Sequence, residues 1–253
     1  MSKIQAAIDK TIEDKTPVGV VKDGNLNIIV LNGNENKLDL TFCARLHEAL
    51  DEVEKQEDVR GQVLVTVSTN QKIFSSGIGM EELHSEDDIQ ETLVGLNKYM
   101  LRMLKSRIPT VACVNGDAIA GGWFLAMAHH YRTMNEDSGC MSLIEILLSV
   151  PIPEAFNAFG VQKIGAHNYW EASCLGNRYA AKEALEKGLA TQVYPEKDLF
   201  AMTEEFAESL SAKSLDPVTF QVMSEDIYKT AIENLEGPQN LDSTVKEIAR
   251  FLS

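Results

Sequence analysis

Two short stretches of the sequence combine glycine with a helix that follows, and both could bind an anion through backbone N–H groups. They are FSSGIG, residues 74–79, and NGDAIAGG, residues 115–122. Amides in the first turn of a helix lack an intrahelical acceptor, and the helix dipole makes that end electropositive. Two such ends facing each other would stabilise a developing oxyanion. Close packing of two strand–helix pairs would also require glycine, so spacing alone leaves both interpretations open.

The second glycine turn is followed by side chains that cannot act as acid, base or nucleophile. Trp123 and Phe124 come directly after the two glycines. Any acid–base group must therefore come from another segment. Glu145, in SLIEILL, is the first candidate, because a carboxylate buried among apolar residues is costly unless it is used or paired. Glu154, in PIPEAF, is the alternative, although an acid at that place is also typical of a first helical turn.

Nucleophilic and metal chemistry are not indicated. His129 and His130 are adjacent, and neighbouring side chains on a helix point about 100° apart, so they are poorly placed to share a metal. Ser75 and Ser76 lack the GxSxG setting of a serine nucleophile and are expected to shape their turn. The four cysteines show no CxxC spacing, so we predict reduced thiols and no metal site.

Composition narrows the classes of partner. The chain of 253 residues carries 23 Lys and Arg against 38 Asp and Glu, a formal net charge of -15, which disfavours nucleic acid. No apolar run reaches the ~20 residues of a membrane-spanning helix. The first residues, MSKIQAAIDKTIEDK, do not have the apolar core of a signal peptide. We therefore predict a soluble intracellular protein that binds neither nucleic acid nor membrane.

Hydrophobic periodicity predicts an α/β fold made of repeated ββα units. Strands are predicted at residues 18–22, 26–33, 62–69, 110–116 and 131–134, and helices at about 40–53 with Asp39 as N-cap, 89–105, 200–210, 218–235 and 242–252. Neither a GxGxxG nor a GxxxxGK[ST] loop is present, which argues against Rossmann and P-loop domains. From about Pro195 only helices are predicted. We divide the chain into a core, residues 1–195, and a helical region, residues 196–253.

Four segments in order resemble the crotonase (enoyl-CoA hydratase/isomerase) superfamily. They are KIFSSGIGMEEL, IPTVACVNGDAIAGGWFLAMAHH, MSLIEILLSVPIP and GNRYAAKEALEKGLATQVYP, which lie within residues 72–195. The resemblance extends over roughly residues 18–220. It implies a crotonase-like spiral of ββα units and a C-terminal helical region that forms homotrimers or hexamers. It also implies an acyl-CoA thioester as ligand.

Transferred to this sequence, the resemblance assigns the oxyanion contacts to the backbone N–H groups of Ile78 and Gly121. Hydratases of the superfamily use two glutamates; here one position holds Phe124 and the other holds Glu145. Another isomerase branch places its glutamate one residue from Glu154. One carboxylate suffices for Δ3,Δ2-enoyl-CoA isomerisation, in which it removes a proton from C2 and returns it at C4.

The remaining site residues follow from that substrate. Trp123 and Phe124 are expected to form pocket wall. Lys72 is the first candidate for the CoA phosphates, with Lys105 or Arg107 as possible assistants. No cofactor is expected, because coenzyme A is part of the substrate. The open alternatives are a hydratase, thioesterase or decarboxylase on the same fold, or a crotonase-like protein that binds acyl-CoA or a partner without turnover. Cytoplasm, peroxisome and mitochondrion are not distinguished.

Overall fold

Two β-sheets form the centre of the computed structural model, which describes residues 1–252. Within these residues the strands are β1 (Val18–Asp23), β2 (Leu26–Leu31), β3 (Val63–Ser68), β4 (Ile73–Ser75), β5 (Thr110–Val114), β6 (Asp117–Ile119), β7 (Tyr131–Asn135), β8 (Met141–Ser142), β9 (Arg178–Tyr179) and β10 (Gln192–Tyr194). The larger sheet has the order β1-β2-β3-β5-β7-β10, and the smaller sheet has the order β4-β6-β8-β9. From β3 to β8, strands of the two sheets therefore alternate along the chain, as in repeated ββα units.

Helices surround both sheets. They are α1 (Lys3–Asp14), α2 (Leu40–Glu54), α3 (Glu86–Leu104), α4 (Gly121–Met127), α5 (Glu154–Ile164), α6 (Ala166–Leu175), α7 (Ala181–Glu186), α8 (Leu199–Ser211), α9 (Pro217–Ile227), α10 (Lys229–Glu236) and α11 (Asp242–Ala249). Two 3₁₀ turns, Met80–Glu82 and Glu145–Leu148, lie between strands and helices. The predicted α/β class is confirmed.

The larger sheet begins with the predicted hairpin and continues with parallel strands. β1 and β2 pair antiparallel, with Val18 opposite Leu31. All further neighbours in that sheet run parallel. Every residue of β2, LNIIVL, and of β3, VLVTVS, is buried. Helices cover both faces of a parallel sheet, which explains why these two strands lack exposed polar positions.

The helix predicted after Asp39 forms as expected. The Asp39 carboxylate accepts a hydrogen bond from the Phe42 N–H at 2.7 Å and caps α2. Phe42, Leu46, Leu50 and Val53 are buried on one side of this helix. They belong to the larger apolar core, which α2 shares with α3 and α4. The sequence pattern therefore predicted both the start of α2 and its buried face.

After β10 the described chain contains only helices, but one predicted helix is divided. Residues 218–235 form α9 and α10, which meet at Tyr228. The Ser224 hydroxyl of α9 donates to the Leu104 carbonyl at 3.0 Å, and His130 stacks edge-on against Phe220. These contacts between distant segments hold α9 in its own orientation, and periodicity could not reveal them. The predicted domain boundary at residue 195 stays a prediction.

Residues 1–252 contain neither a membrane-spanning helix nor a cluster of metal-ligand side chains. No helix there is long and apolar enough to cross a membrane. No three His, Cys, Asp or Glu side chains in that range are grouped as metal ligands. All four cysteines are unpaired with one another, and only Cys174 is exposed.

Candidate active site

The two glycine turns face each other at the edge of the smaller sheet. A Cβ atom added to Gly121 would lie 3.4 Å from the Cα of Gly77 and 3.5 Å from the amide nitrogen of Ile78. β4 and β6, which lead into the two turns, are paired in parallel. This pairing brings the Ile78 and Gly121 amides together at one end of the two strands.

The first turn is held by a strand-like bridge to Leu38. The Leu38 N–H donates to the Gly77 carbonyl at 2.7 Å, and the Gly79 N–H donates to the Leu38 carbonyl at 3.0 Å. Within residues 1–252 the Ile78 N–H between them has no hydrogen-bond acceptor, and the following 3₁₀ turn begins only at Met80. The expectation of two helix starts is therefore corrected: only Gly121 begins a helix.

The second turn depends on an unusual backbone conformation at Ala120. This residue has φ 52° and ψ -119°, a region that non-glycine residues rarely adopt. Its N–H donates to the Ser142 carbonyl at 2.9 Å, and its own carbonyl accepts from the Trp123 N–H at 2.9 Å. The next amide, that of Gly121, donates to no described residue. Strain of this kind commonly occurs at functional sites, here directly before a proposed oxyanion donor.

The second glycine of the pair has a packing role. A Cβ atom on Gly122 would lie 2.1 Å from the Ser75 carbonyl oxygen, so no other residue fits between α4 and β4. The Ser75 hydroxyl donates to the Asn36 carbonyl at 2.8 Å and lies 3.3 Å from the Gly77 nitrogen. The structure thus places Ser75 as a support of the first turn.

Asn36 is a supporting residue that the sequence reasoning missed. It is fully buried with φ 48°, and its side-chain amide donates to the Phe74 carbonyl at 2.8 Å and to the Ser68 hydroxyl at 2.7 Å. Asn115 supports the neighbouring loop through bonds to Ser68. The signal available in the sequence was an asparagine within GNENK, since Asn tolerates a left-handed conformation better than most residues.

Both proposed oxyanion residues line a small apolar pocket. Its volume is about 30 Å³. The lining residues are Ile78, Leu93, Leu96, Gly121, Phe124, Glu145, Val150, Pro151, Ile152, Pro153, Phe156, Thr244 and Ile248. Glu145 is the one ionisable side chain among them. The pocket thus combines two free backbone donors, one carboxyl group and an otherwise apolar wall.

The carboxyl group of Glu145 is poorly solvated. Its Oε2 atom is buried and has no hydrogen-bond partner among the described residues. Burial raises the pKa of Glu145 to about 7, and the backbone amides of Glu145 and Ile144 oppose that effect only in part. A carboxyl group with this pKa can both accept and return a proton near neutral pH.

The apolar neighbours of Glu145 in sequence do not bury it. Ile146 and Leu147 are 49% and 66% exposed, because the 3₁₀ turn directs them away from the pocket. The expectation that they surround the carboxylate is wrong; Phe124, Val150 and residues of other elements do so instead.

Glu154 lies outside this pocket. It is the first residue of α5, directly after the N-cap Pro153, and its side chain is exposed. That position is typical of an acid that stabilises a helix start. The structure therefore brings Glu145, and not Glu154, to the two free amides.

The two aromatic residues after the second glycine turn occupy different layers. Phe124 lines the pocket, and its ring centroid is 5.0 Å from that of Phe156. Trp123 is also fully buried, but it lies between Phe124, at 5.0 Å, and Tyr169, at 6.0 Å. The structure therefore places Trp123 behind the pocket wall rather than in it.

The predicted CoA-binding cations lie in different places. Lys72 is exposed and lies directly before β4, the strand that leads to the first turn. Lys105 is paired with Glu236, and Arg107 donates to the Glu54 carbonyl at 3.2 Å. Lys105 and Arg107 line another pocket, which shares no residue with the one around Glu145.

A further cation, Lys37, lies beside the first turn and was not recognised in the sequence. Its Nζ atom is 2.9 Å from Glu81 and 3.7 Å from Glu82, and its Cβ lies next to Gly79. The two glutamates are exposed. No sequence signal connected Lys37 with them, because about forty residues separate the partners.

The two histidines after α4 have structural contacts. His129 Nε2 is 2.8 Å from the Thr66 hydroxyl, and His130 Nδ1 is 2.8 Å from the Thr110 hydroxyl. Burial lowers the pKa of each to about 3, so both are neutral at physiological pH. Neither histidine lines the pocket around Glu145.

Comparison with known proteins identifies the family. A sequence model described as enoyl-CoA hydratase/isomerase matches residues 23–249. The chain belongs to this family. The resemblance inferred from the four segments is therefore confirmed.

Relatives within the enoyl-CoA hydratase/isomerase family carry both names. Enoyl-CoA delta isomerase 1, mitochondrial, from Rattus norvegicus is 27% identical over 242 residues, 92% of this chain and 81% of the relative. The human mitochondrial delta3-delta2-enoyl-CoA isomerase structure matches with TM-score 0.80 and 22% identity over 94% of this chain and 91% of that one. An enoyl-CoA hydratase structure from Mycobacterium ulcerans gives TM-score 0.80 and 20% identity, covering 94% and 100%. The structural matches confirm the crotonase-like fold.

Proposed function

We propose that this protein is a Δ3,Δ2-enoyl-CoA isomerase. The observation that carries the proposal is the pocket that Ile78 and Gly121 line together with Glu145, its one ionisable side chain. Proton transfer between two carbons of one substrate needs one group that alternates between base and acid. A carboxyl group with a pKa of about 7 meets that requirement.

The proposed reaction begins with the thioester oxygen at the two backbone donors. The Glu145 carboxylate removes a proton from C2, and the electron pair of that C–H bond delocalises through the 3,4-double bond and the carbonyl. The resulting dienolate oxygen accepts hydrogen bonds from the Ile78 and Gly121 N–H groups. The protonated Glu145 then returns the proton to C4, which leaves the double bond between C2 and C3 and regenerates the carboxylate.

The apolar wall favours this reaction over addition of water. Phe124 occupies the position at which the superfamily's hydratases carry a glutamate, and a phenyl ring cannot hydrogen-bond a water nucleophile. Its ring packs against Phe156 and closes that side of the pocket. Exclusion of water also protects the dienolate from protonation by solvent. The isomerase names of relatives such as the rat protein agree with this choice.

The substrate is proposed to be an unsaturated fatty acyl-CoA thioester, with no separate cofactor. Exposed Lys72 is retained as the proposed contact to the CoA phosphates, because it precedes the strand that ends at the first turn. A local cation matters here, since the chain as a whole carries a formal charge of -15.

A homotrimer or hexamer is proposed as the assembly. Helix α9 exposes Val218, Val222, Met223 and Ile227, and α6 exposes Trp170 at 55%. Apolar patches of this kind often mark protein–protein contacts. Light scattering coupled to size-exclusion chromatography should give three or six times 28.0 kDa, and a monomeric mass would contradict the assembly.

The reaction is tested with purified protein and 3-hexenoyl-CoA. The expected product is 2-hexenoyl-CoA, followed by the absorbance of the conjugated thioester, and Glu145→Gln should lower the rate by at least about 10²-fold. Glu154→Gln is the matched control and should retain activity. Equal, negligible rates for wild type and Glu145→Gln would overturn the isomerase assignment. Hydration of 2-hexenoyl-CoA or release of free CoA would identify another family reaction.

A further inference from the structure

We propose that Arg132 and Lys163 form a binding site for a small oxyanion of the phosphate or sulfate class. Neither residue lines the pocket around Glu145, and the site does not depend on the proposed function. Arg132 lies in β7, and Lys163 lies near the end of α5. Tyr228, at the junction of α9 and α10, borders the lysine.

The two cations lie side by side. The Lys163 Nζ atom and the Arg132 Nη1 atom both donate to the carbonyl oxygen of His129, each at 2.9 Å. The two charged nitrogens are therefore separated by at most twice that distance. Like charges this close repel each other, most strongly where water is scarce. Buried cations are normally paired, so a counter-ion is expected here.

No carboxylate of the described chain supplies that counter-ion. Within residues 1–252 neither Arg132 nor Lys163 forms an ion pair with Asp or Glu. The other titratable groups beside them are His129, His130 and Tyr228. Burial and the neighbouring guanidinium both lower the pKa of Lys163, as expected of an ammonium group without a counter-ion.

Both cations keep hydrogen-bond donors that no described residue uses. Arg132 donates to three backbone carbonyls through Nε and Nη1, whereas Nη2 has no acceptor within residues 1–252. Lys163 Nζ has three hydrogens and two partners, the His129 carbonyl and, at 3.4 Å, the Tyr228 hydroxyl. Arg132 is only 6% exposed, so water has little access to its unused N–H groups.

An oxyanion matches these donors. The planar guanidinium of arginine suits the oxygens of phosphate, sulfate or carboxylate, and lysine adds a point charge. Nη2 is bonded to the same carbon as Nη1, so its separation from Nζ is within the span of one tetrahedral oxyanion with two hydrogen bonds of about 2.8 Å. The low exposure of Arg132 favours a small free ion over a side chain presented by another protein surface.

A bound oxyanion would connect β7 with the helices packed beside it. Lys163 contributes α5, and Arg132 contributes β7. The junction of α9 and α10 is already tied to α5, because the Gln162 side chain donates to the Ile227 carbonyl and accepts from the Ala231 N–H. The anion would add a charged bridge between this group of helices and the larger sheet. We therefore expect it to stabilise the folded state.

The test is a calorimetric titration of the full chain with sodium sulfate. Sodium chloride holds the ionic strength constant, so that screening alone gives no signal. Wild type should bind sulfate saturably, and Lys163→Met should raise Kd at least about tenfold, the loss expected for one hydrogen bond to a charged group. Lys163→Gln also removes the charge but keeps an amide donor, and it serves if the methionine variant folds poorly. Absence of saturable binding, or an unchanged Kd in the variants, would overturn the site.

Lys3→Met is the matched control. Lys3 is half-buried, as Lys163 is, but its Nζ atom lies 2.5 Å from Glu208 and 3.9 Å from Glu204. Its removal should leave the Kd for sulfate unchanged. Equal increases of Kd in Lys3→Met and Lys163→Met would show an effect of net charge and would also overturn the site.

Urea unfolding gives a second readout. A ligand that binds only the folded state lowers the unfolding equilibrium constant about elevenfold when its concentration is about ten times Kd. Wild type should show this decrease with sulfate. Lys163→Met should show only the general stabilisation that sulfate gives to any protein. Equal decreases in both proteins would contradict specific binding.

An acidic side chain of a second copy of the chain is the other source of an oxyanion. Light scattering of wild type and Lys163→Met distinguishes this source from a free ion. The free-ion site predicts the same mass for both proteins. A lower mass for Lys163→Met, together with no effect of sulfate on wild type, would assign the ligand to a second copy and overturn the free-ion site.

Discussion

Gly77 and Gly121 approach each other so closely that a methyl group on Gly77 would lie 2.9 Å from the Gly121 amide nitrogen. It would also lie 2.8 Å from the Ile119 carbonyl oxygen. The distance between the two proposed oxyanion donors is therefore set by the absence of a side chain at residue 77. The backbone of Gly77 adds a second requirement, because its φ is 89°.

Gly77→Ala should consequently abolish most activity. The added methyl group must push the two turns apart, and loss of one oxyanion donor typically costs about 10²–10³ in rate. Gly188→Ala is the matched control, because Gly188 has φ 76° but open space around its Cβ position. Gly188→Ala should lose about 1–2 kcal/mol in urea unfolding from backbone strain, and Gly77→Ala should lose more, because its methyl group also clashes with the backbone of Ile119 and Gly121. If Gly77→Ala retained wild-type kcat/KM, the assignment of the turn would be wrong.

The pH dependence of kcat/KM should report the ionisation of Glu145. Burial raises the pKa of its carboxyl group to about 7, and the carboxylate is the form that removes the C2 proton. Activity should therefore rise tenfold per pH unit below about 7 and become constant above it. Glu154→Gln should leave this curve unchanged. An activity limb near the ordinary glutamate pKa of about 4.3 would exclude a desolvated base.

Glu145→Gln should make the protein more stable at alkaline pH. A folded pKa of about 7, above the ordinary glutamate value of 4.5, means that the folded state binds the proton more tightly than the unfolded state. Wild-type stability is then lost as pH rises from about 4.5 to about 7, by at most about 3 kcal/mol. The Glu145→Gln variant does not show this pH-dependent loss of stability, because glutamine does not ionise. In urea unfolding, the stability of the variant relative to wild type should be higher at pH 8 than at pH 5.

Exposed Glu154 offers the comparison for that measurement. Glu154→Gln changes the same functional group at the first residue of α5 without touching the pocket. Its difference from wild type should be the same at both pH values, within error. If Glu145→Gln also behaved in this way, its carboxyl group would not be desolvated in the folded protein.

The sequence predicted local features well where one short segment determines them. Asp39 caps α2 by bonding to a residue three positions later, so the motif and the contact lie together. Strands β2 and β3 were likewise predicted from their hydrophobic pattern. The family resemblance added the pairing of the two glycine turns, which residue spacing by itself left open.

The remaining features depend on contacts between distant segments. The β-bridge between Leu38 and Ile78 joins residues that are forty positions apart in the sequence. The hydrogen bond from Thr244 to Pro151 joins residues that are ninety-three positions apart. The exposure of Ile146 and Leu147 could not be predicted either, because an exposed apolar run in a 3₁₀ turn has the same residue types as a buried segment. The local sequence pattern specifies helices and strands, whereas the contacts and exposures named here depend on how those helices and strands pack together.

A buried basic cluster illustrates the same limit. Lys163 Nζ lies 2.9 Å from the His129 carbonyl oxygen, to which Arg132 also donates at 2.9 Å. Burial lowers the pKa of both cations. The Lys163 Nζ atom also lies 4.6 Å from the centroid of the Tyr228 ring. Helix-end carbonyls and aromatic faces replace carboxylates here, which net charge alone would not suggest.

Phe124→Glu should destabilise the protein without creating a hydratase. Phe124 is 1% exposed and packs against Trp123 and Phe156, so a carboxylate there would be buried without a partner. The expected loss is several kcal/mol. Phe124→Leu, the apolar control, should lose only about 1 kcal/mol. Substantial hydration of 2-hexenoyl-CoA by Phe124→Glu would show that the missing glutamate alone separates the two reactions.

His129 and His130 should make the fold sensitive to mild acid. Burial lowers the pKa of each to about 3, whereas the unfolded chain protonates them near 6.5. The unfolded state therefore binds more protons below pH 6.5, and stability falls as pH drops, by up to about 2 kcal/mol per histidine between pH 6.5 and 5. His130→Gln should flatten this slope in urea unfolding. A slope as steep in His130→Gln as in wild type would contradict burial of a neutral imidazole at this position.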